Sequence, residues 1–141
     1  MISLTRNQLD RLIPSKLWQC KDLRQFSLGF LFLFFSSIEV TKVMQTRTIP
    51  DEISDLPKLE TLVLEYNKHN GVIPSKLFNN SLIREIGLCF NQLLVSGSLP
   101  ANIGLKVPNL ELLYVARNNL VAGVLPNLSY ASKLTELDIV M

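Results

Sequence analysis

Short apolar runs with alternating spacing recur along the chain, each followed by polar residues and then by an aliphatic residue and a proline. Leu59 to Pro74 carries the pattern most fully, reading L-E-T-L-V-L-E-Y-N-K-H-N-G-V-I-P. Leu59, Leu62 and Leu64 are spaced three and two apart. The spacing therefore passes from a bend into a strand whose alternate side chains share one face. Asn67, Gly71 and Ile73-Pro74 close the turn, and the same order of residues returns on both sides of it. Aligned on these cores, strands are predicted at Ile2-Ser3-Leu4, Leu62-Val63-Leu64, Ile86-Gly87-Leu88, Leu113-Tyr114-Val115 and Leu137-Asp138-Ile139.

The closing dipeptide occurs at Ile13-Pro14, Ile49-Pro50, Ile73-Pro74, Leu99-Pro100 and Leu125-Pro126, and successive prolines lie 36, 24, 26 and 26 residues apart. The last three intervals fit a leucine-rich repeat, whose units run about 20 to 29 residues with one short strand each. The first equals one and a half units. Proline lacks an N–H and presets φ, which suits the start of a short helical segment on the outer side of a coil. Such segments are expected at Ser15 to Cys20, Asp51 to Asp55, Ser75 to Phe78 and Ala101 to Gly104. Leu17, Ile53, Leu77 and Ile103 each lie three after the proline and are expected to point inward together. The implied fold class is α/β, a solenoid with short parallel strands on its concave face and 3-10, short helical or irregular segments on its convex face. Residues 1–141 form a single array of about five to six units, incomplete at both ends and irregular at 28–48.

An asparagine follows three residues after four of the strand cores, at Asn7, Asn67, Asn91 and Asn118. Its amide both donates and accepts, so a stacked ladder of inward asparagines can satisfy backbone groups of neighbouring coils. Gly71, Gly97 and Gly123 fall where positive φ or close backbone approach is expected, with Arg11 at that place in the first unit. The bend is longer between Asn91 and Gly97 and between Asn118 and Gly123, where loops tolerate length.

The block Phe26 to Thr48 departs from the pattern. Phe26-Ser27-Leu28 serves as a strand core, but Leu31 stands at the asparagine position, and Phe35 and Ser37-Ile38 replace the glycine and the closure. About twelve residues of a second unit are missing. One reading is an irregular coil whose phenylalanines still pack inward. The other is a damaged or misassembled coding segment, favoured by the lack of an alternating polar face. A displaced signal-like segment after Lys21 and Arg24 lies too far from the terminus.

The chain has 141 residues, 48% of them hydrophobic, which is ample for a core. Lysine and arginine total 14 against 12 acidic residues, and the basic side chains are scattered, so no footprint for nucleic acid or acidic lipid is present. Cys20 and Cys89 lack metal-ligand spacing and are expected to be free thiols, Cys20 in an inward apolar position. No apolar leader opens the chain. The apolar run Phe26 to Phe35 is well short of the roughly 20 residues a membrane helix needs.

Exposed strand positions of a solenoid line its concave face, the usual partner-binding surface. Val63, Gly87, Tyr114 and Asp138 occupy the middle of successive cores, and Glu65, Cys89, Ala116 and Val140 lie two further on. Tyr66, Phe90 and Arg117 flank them. Aromatics and arginine are frequent interface anchors, so Tyr66, Phe90, Tyr114 and Arg117 form the candidate ligand-binding patch, with Glu65 and Asp138 as acidic neighbours. A solvated face with single exposed aromatics is the bland alternative. Asn79-Asn80-Ser81 and Asn127-Leu128-Ser129 are glycosylation sequons, relevant to a secreted chain. His69 stands where leucine is expected, partly buried at a bend, with no second ligand in register. No catalytic constellation, metal site or cofactor motif is found, and the chain is read as a non-enzyme.

Units of the form L-x-x-L-x-L-x-x-N-x-L-x-G-x-I-P resemble the plant-specific leucine-rich repeat, from which the extracellular parts of receptor-like serine/threonine kinases are built. Ile49-Pro-Asp-Glu-Ile-Ser-Asp-Leu, Leu99-Pro-Ala-Asn-Ile-Gly and Asn118-Asn-Leu are similar to the immune-receptor branch of those kinases. The resemblance implies a fragment of a signalling or defence receptor, recognising a peptide or protein ligand and possessing a co-receptor, glycosylated and held at the extracellular face of the plasma membrane by parts outside this chain. The kinase motifs themselves are absent from the sequence. Two other readings stay open: a truncated relic without a ligand, and a soluble inhibitor of a secreted enzyme, since inhibitors of cell-wall polygalacturonases share the motif.

Overall fold

An L-x-L triplet offers two side chains to one face, too few to bury anything without neighbours from other coils. The computed structural model supplies those neighbours; it describes residues 1–3, 15–28, 48–67, 69–95, 102–120 and 128–140. The strands in chain order are β1 (Ile2–Ser3), β2 (Gln25–Ser27), β3 (Thr61–Val63), β4 (Asn70–Val72), β5 (Glu85–Gly87), β6 (Gln92–Val95), β7 (Leu112–Tyr114), β8 (Asn119–Leu120) and β9 (Glu136–Asp138). Strands β1, β2, β3, β5, β7 and β9 form one six-stranded parallel sheet in that order. Its register places Ile2, Phe26, Leu62, Ile86, Leu113 and Leu137 side by side.

That register sorts the core into rows. Phe26, Leu62, Ile86 and Leu113 are buried in the first, and Leu64, Leu88 and Val115 in the second. Leu23, Leu59, Ile83 and Leu110, which precede the strands, make a third buried row. On the outer side, Ser15–Gln19, Asp51–Asp55 and Ser75–Asn79 are 3-10 turns and α1 (Ile103–Lys106) is one short helical turn. Ile53, Leu77 and Ile103 point inward from these segments and are buried, three residues after proline in each case. Each fully buried side chain of this size contributes ~1.5–3 kcal/mol.

Sequence reading missed a second sheet. Strands β4, β6 and β8 pair in parallel on the flank of the solenoid, and Thr48 bridges to Asn70 at its edge. Asn70-Gly71-Val72 shows no alternation, only its valine favours a strand, and Val72 is exposed. These strands form because each coil already runs beside the previous one at strand spacing, so their N–H and C=O groups pair whatever the side chains. Gly71 has the positive φ expected of it, 77°, and an added Cβ would lie 2.8 Å from Thr48 Cγ2. Gly97, Gly123 and Arg11 lie outside the described residues.

Three expectations are corrected. Phe26 and Leu62 are paired neighbours although 36 residues separate them, so the sheet advances by one strand from β2 to β3. Ile86 follows Leu62 by 24 residues; the anomaly is thus one unit about twelve residues long in excess, rather than two units with residues lost. The block that prompted the competing readings, 29–47, lies outside the described residues. Leu17 is only half-buried and Cys20 is exposed. In that coil Leu23 and Phe26 fill the inward space, with the Trp18 ring edge-on to Phe26 at 6.1 Å. Cys20 instead joins the turn through its backbone, donating to Leu17 O and accepting from Leu23 N.

Candidate functional site

The concave sheet face and the rim where its strands turn carry the predicted site residues. Three residues past the ends of β3, β5 and β7 the chain bends away from the sheet through a left-handed residue, at Tyr66, Phe90 and Arg117, with φ of 54°, 56° and 54°. Each donates its backbone N–H to the next coil, to Cys89 O, Ala116 O and Val140 O respectively. The three therefore occupy one row of the rim. Tyr66 and Phe90 are 42% and 45% exposed, with rings stacked at 4.4 Å and 10° between planes, and Arg117 is exposed beside them. A bulky side chain in the left-handed region costs of order 1 kcal/mol or more, and glycine or asparagine would avoid it.

Tyr114 belongs to a different row. It sits on the sheet face beside Gly87 and Asp138 in register, and its hydroxyl donates to Glu136 Oε2 at 2.5 Å. That hydrogen bond, followed by burial, pushes its pKa up to about 12. Gly87 is buried, and so are Cys89 at 5% and Ala116 at 2%, which corrects the expectation that these positions are open to a ligand. They are small side chains beneath larger neighbours. The Glu65 carboxylate lies across Gly87, where an added Cβ would be 3.1 Å from its Oε1. Burial first, then the charges of Glu85 and Asp138, raise the Glu65 pKa; burial raises that of Glu85. Burial and then Glu65 push the Cys89 thiol up to about 11, against a reactive thiolate.

Behind the rim stands the asparagine ladder. Asn67 Nδ2 donates to Leu28, Leu64 and Glu65 carbonyls, Asn91 Nδ2 to Leu64, Leu88 and Cys89, and Asn118 Nδ2 to Leu88, Val115 and Ala116, at 2.5–3.2 Å. Asn91 Oδ1 accepts from His69 N and Asn118 Oδ1 from Leu93 N, both at 3.1 Å. Each amide thus ties its own strand to the coil before it. His69 is buried, at 7% exposure, and passes its own carbonyl to Gln92 N. Asn7 and Asn127 lie outside the described residues.

A second polar series, at the opposite ends of the strands, escaped sequence reading. Lys58 Nζ reaches Asp22 and Lys133 Nζ reaches Asn109, while Asn109 donates to Ser81 O and Asn80 to Leu59 O. Arg24–Glu60 and Arg84–Glu111 pair one coil to the next in the same way. Only the register, which puts residues 22 and 58 or 109 and 133 beside one another, makes these pairs visible. Asn79 is exposed on the outer side, and its Oδ1 accepts from Lys106 Nζ. Among the described residues no group of three or more His, Cys, Asp or Glu could hold a metal ion, and no helix is long and apolar enough to cross a membrane.

The fold is shared with plant receptors. The plant peptide hormone receptor RGFR1, solved in complex with RGF2, superposes on 90% of this chain with a TM-score of 0.69 and 22% identity, over 18% of its own chain. The array has the fold of a leucine-rich-repeat ectodomain. The BIR3–SERK2 complex from Arabidopsis thaliana gives a TM-score of 0.60 at 28% identity, covering 82% of the array and 53% of that chain. In sequence, Receptor-like protein 32 of Arabidopsis thaliana is 34% identical over 113 residues, 72% of the array. The array spans only 12% of that relative's length. No protein-family model matches it.

Proposed function

We propose that the array is a non-catalytic recognition module of a plant leucine-rich-repeat receptor, binding a peptide or protein ligand on the concave face and its rim, outside the cell. The row Tyr66, Phe90 and Arg117 carries the reading. Three successive coils hold large side chains in a backbone conformation that smaller residues would adopt without strain, and two of those side chains stack while remaining over two-fifths exposed. Strain kept where packing gains little is the mark of a functional surface. Tyr114, Glu65 and Asp138 on the adjoining face extend the contact area. The similarity to Receptor-like protein 32, and to ectodomains solved with a peptide hormone and in a two-protein complex, supports a peptide ligand and a co-receptor partner. A parent kinase and glycosylation at exposed Asn79 fit the same reading.

Phe90→Gly tests it with stability held nearly constant. The substitution loses a ring stack worth about 0.5–1.5 kcal/mol and relieves a left-handed strain of similar size. Peptides enriched on the wild-type array from a displayed random library should bind Phe90→Gly and the double variant Tyr114→Ala/Arg117→Ala at least roughly tenfold more weakly, a loss of about 1.4 kcal/mol. Undiminished binding to both variants would remove the rim and face from the recognition surface.

A further inference from the structure

On the outer side of the solenoid a groove runs between the coil of the 3-10 turn Asp51–Asp55 and that of the turn Ser75–Asn79. Its volume is about 540 Å³, within the roughly 300–1,000 Å³ typical of ligand sites. Pro57 and Leu82 give it apolar walls exposed to solvent, Leu82 to 45%. Ser54 lines it as well, and the Ser54 hydroxyl is buried with no hydrogen-bond partner among the described residues. A hydroxyl left in that state gains a bond if a polar occupant arrives and the side chain turns about χ1 to meet it.

Asn79, the first residue of the sequon Asn79-Asn80-Ser81, lines the same groove. The two adjacent asparagines have different tasks. Asn80 serves the fold, its Nδ2 donating to Leu59 O at 3.1 Å and its Oδ1 accepting from Leu82 N at 3.0 Å. Asn79 is exposed, and among the described residues only its Oδ1 is engaged, by Lys106 Nζ at 3.0 Å. Lys106 belongs to α1 of the following coil, whereas the groove opens toward the preceding coil, which supplies Ser54 and Pro57. The oxygen and nitrogen of a planar amide diverge, so a lysine that holds the oxygen from one side turns Nδ2 toward the other. Nδ2 is the atom to which a sugar is attached in such a sequon.

Resting on the reading of an extracellular chain, we infer that Asn79 carries an N-linked oligosaccharide whose first N-acetylglucosamine is seated in this groove. Its acetamide methyl lies against Leu82 and Pro57, and a polar group of the sugar bonds the Ser54 hydroxyl. Attachment joins Nδ2 to C1 of the sugar while C1 parts from a lipid-linked diphosphate, which leaves with the bonding pair; the displaced amide proton goes to solvent. The co-reactant is thus a lipid-diphosphate oligosaccharide, met in the secretory pathway. The amide oxygen remains an acceptor afterwards, so Lys106 keeps its bond and holds the linkage toward the groove. Seating covers apolar surface that is otherwise left in water. It also confines the glycan to the outer side, away from Tyr66, Phe90 and Arg117.

The test is to secrete the full chain behind an added leader from eukaryotic cells that keep high-mannose glycans, and to trim the product enzymatically to one N-acetylglucosamine. Mass spectrometry should find Asn79 occupied in the wild type and in Ser81→Thr, and bare in Ser81→Ala. The acetamide methyl of the remaining sugar should show nuclear Overhauser contacts to the Leu82 methyls, and the urea midpoint should exceed that of Ser81→Ala. Leu82→Ser should keep the occupancy and lose both the contact and the gain. A bare Asn79 in the secreted wild type would overturn the assignment. So would an occupied Asn79 whose sugar gives no contact with Leu82, or a midpoint gain that survives Leu82→Ser. Phe90-dependent peptide binding, read on the same preparations, separates the two proposals: its persistence beside an unseated sugar sinks this inference alone, and its absence beside a seated sugar sinks the recognition reading alone.

Discussion

Tyr66, Phe90 and Arg117 were picked from the sequence as flanking residues of a concave surface, but the sequence did not reveal why they project. Their φ values near 55° turn them out of the sheet, and that conformation follows from the bend each coil must make before its asparagine. Tyr114, grouped with them as an interface anchor, stands in the core-middle row beside Gly87 and Asp138, a row that the sequence spacing already separates from theirs. Glu65 gives a prediction at this scale. Its folded pKa is raised above the ordinary value of 4.5 by burial and by Glu85 and Asp138. Stability from its protonated form is therefore complete below that value and is lost as pH rises through the raised one. Glu65→Gln is expected to raise the urea midpoint near pH 7, with the gain vanishing near pH 4. An equal gain at both pH values would trace the effect to packing over Gly87 instead.

Single elements are weak here: every strand has two to four residues and the outer segments four or five. They hold because the asparagines and the apolar rows join each element to its copies. Asn91 is the buried member of the ladder, with donors to three carbonyls and an acceptor for His69 N. Asn91→Ala should cost about 2–4 kcal/mol, since one buried backbone group left unpaired costs ~1–3 kcal/mol and this change strands more than one. Equilibrium urea unfolding measures it, and a loss below about 1 kcal/mol would mean that water takes over the amide's role. Close approach also binds coils on the outer side: at Gly104 an added Cβ would come within 2.6 Å of Ala131 N. The main strands, the 3-10 turns and Ile53, Leu77 and Ile103 were legible because one residue type recurs at one offset. The flank sheet was not, because stacked backbones make it without a side-chain signature.

Across the whole molecule, contacts run almost entirely between adjacent coils, so stability should behave as a sum of units and their interfaces. The middle coils have apolar rows covered on both sides, whereas Leu137, the β9 equivalent of Leu113, is 42% exposed and Leu134 and Ile139 are half-buried. Amide hydrogen exchange should be slowest at Leu62 to Leu64, Ile86 to Leu88 and Leu113 to Val115, and faster by orders of magnitude at β1 and β9. Uniform protection along the array would indicate a single all-or-none unit. Repeat class was readable from proline spacing, but charge segregation was not: beneath a net charge of +2, every charged residue of the neighbouring strand segments 61–65, 85–89, 112–116 and 136–140 is acidic, a pattern visible only when the four are laid side by side.

The direct pairing of β2 with β3 bears on how such a chain can change over generations. Coils are counted by strand contacts and not by residues, so a unit can gain a dozen amino acids while every later unit keeps its phase in the lattice. An in-frame insertion in one coil is therefore a local event, like an extra line in one stanza of a metred poem. Variation in length can accumulate there without moving Tyr66, Phe90 and Arg117 out of line with one another.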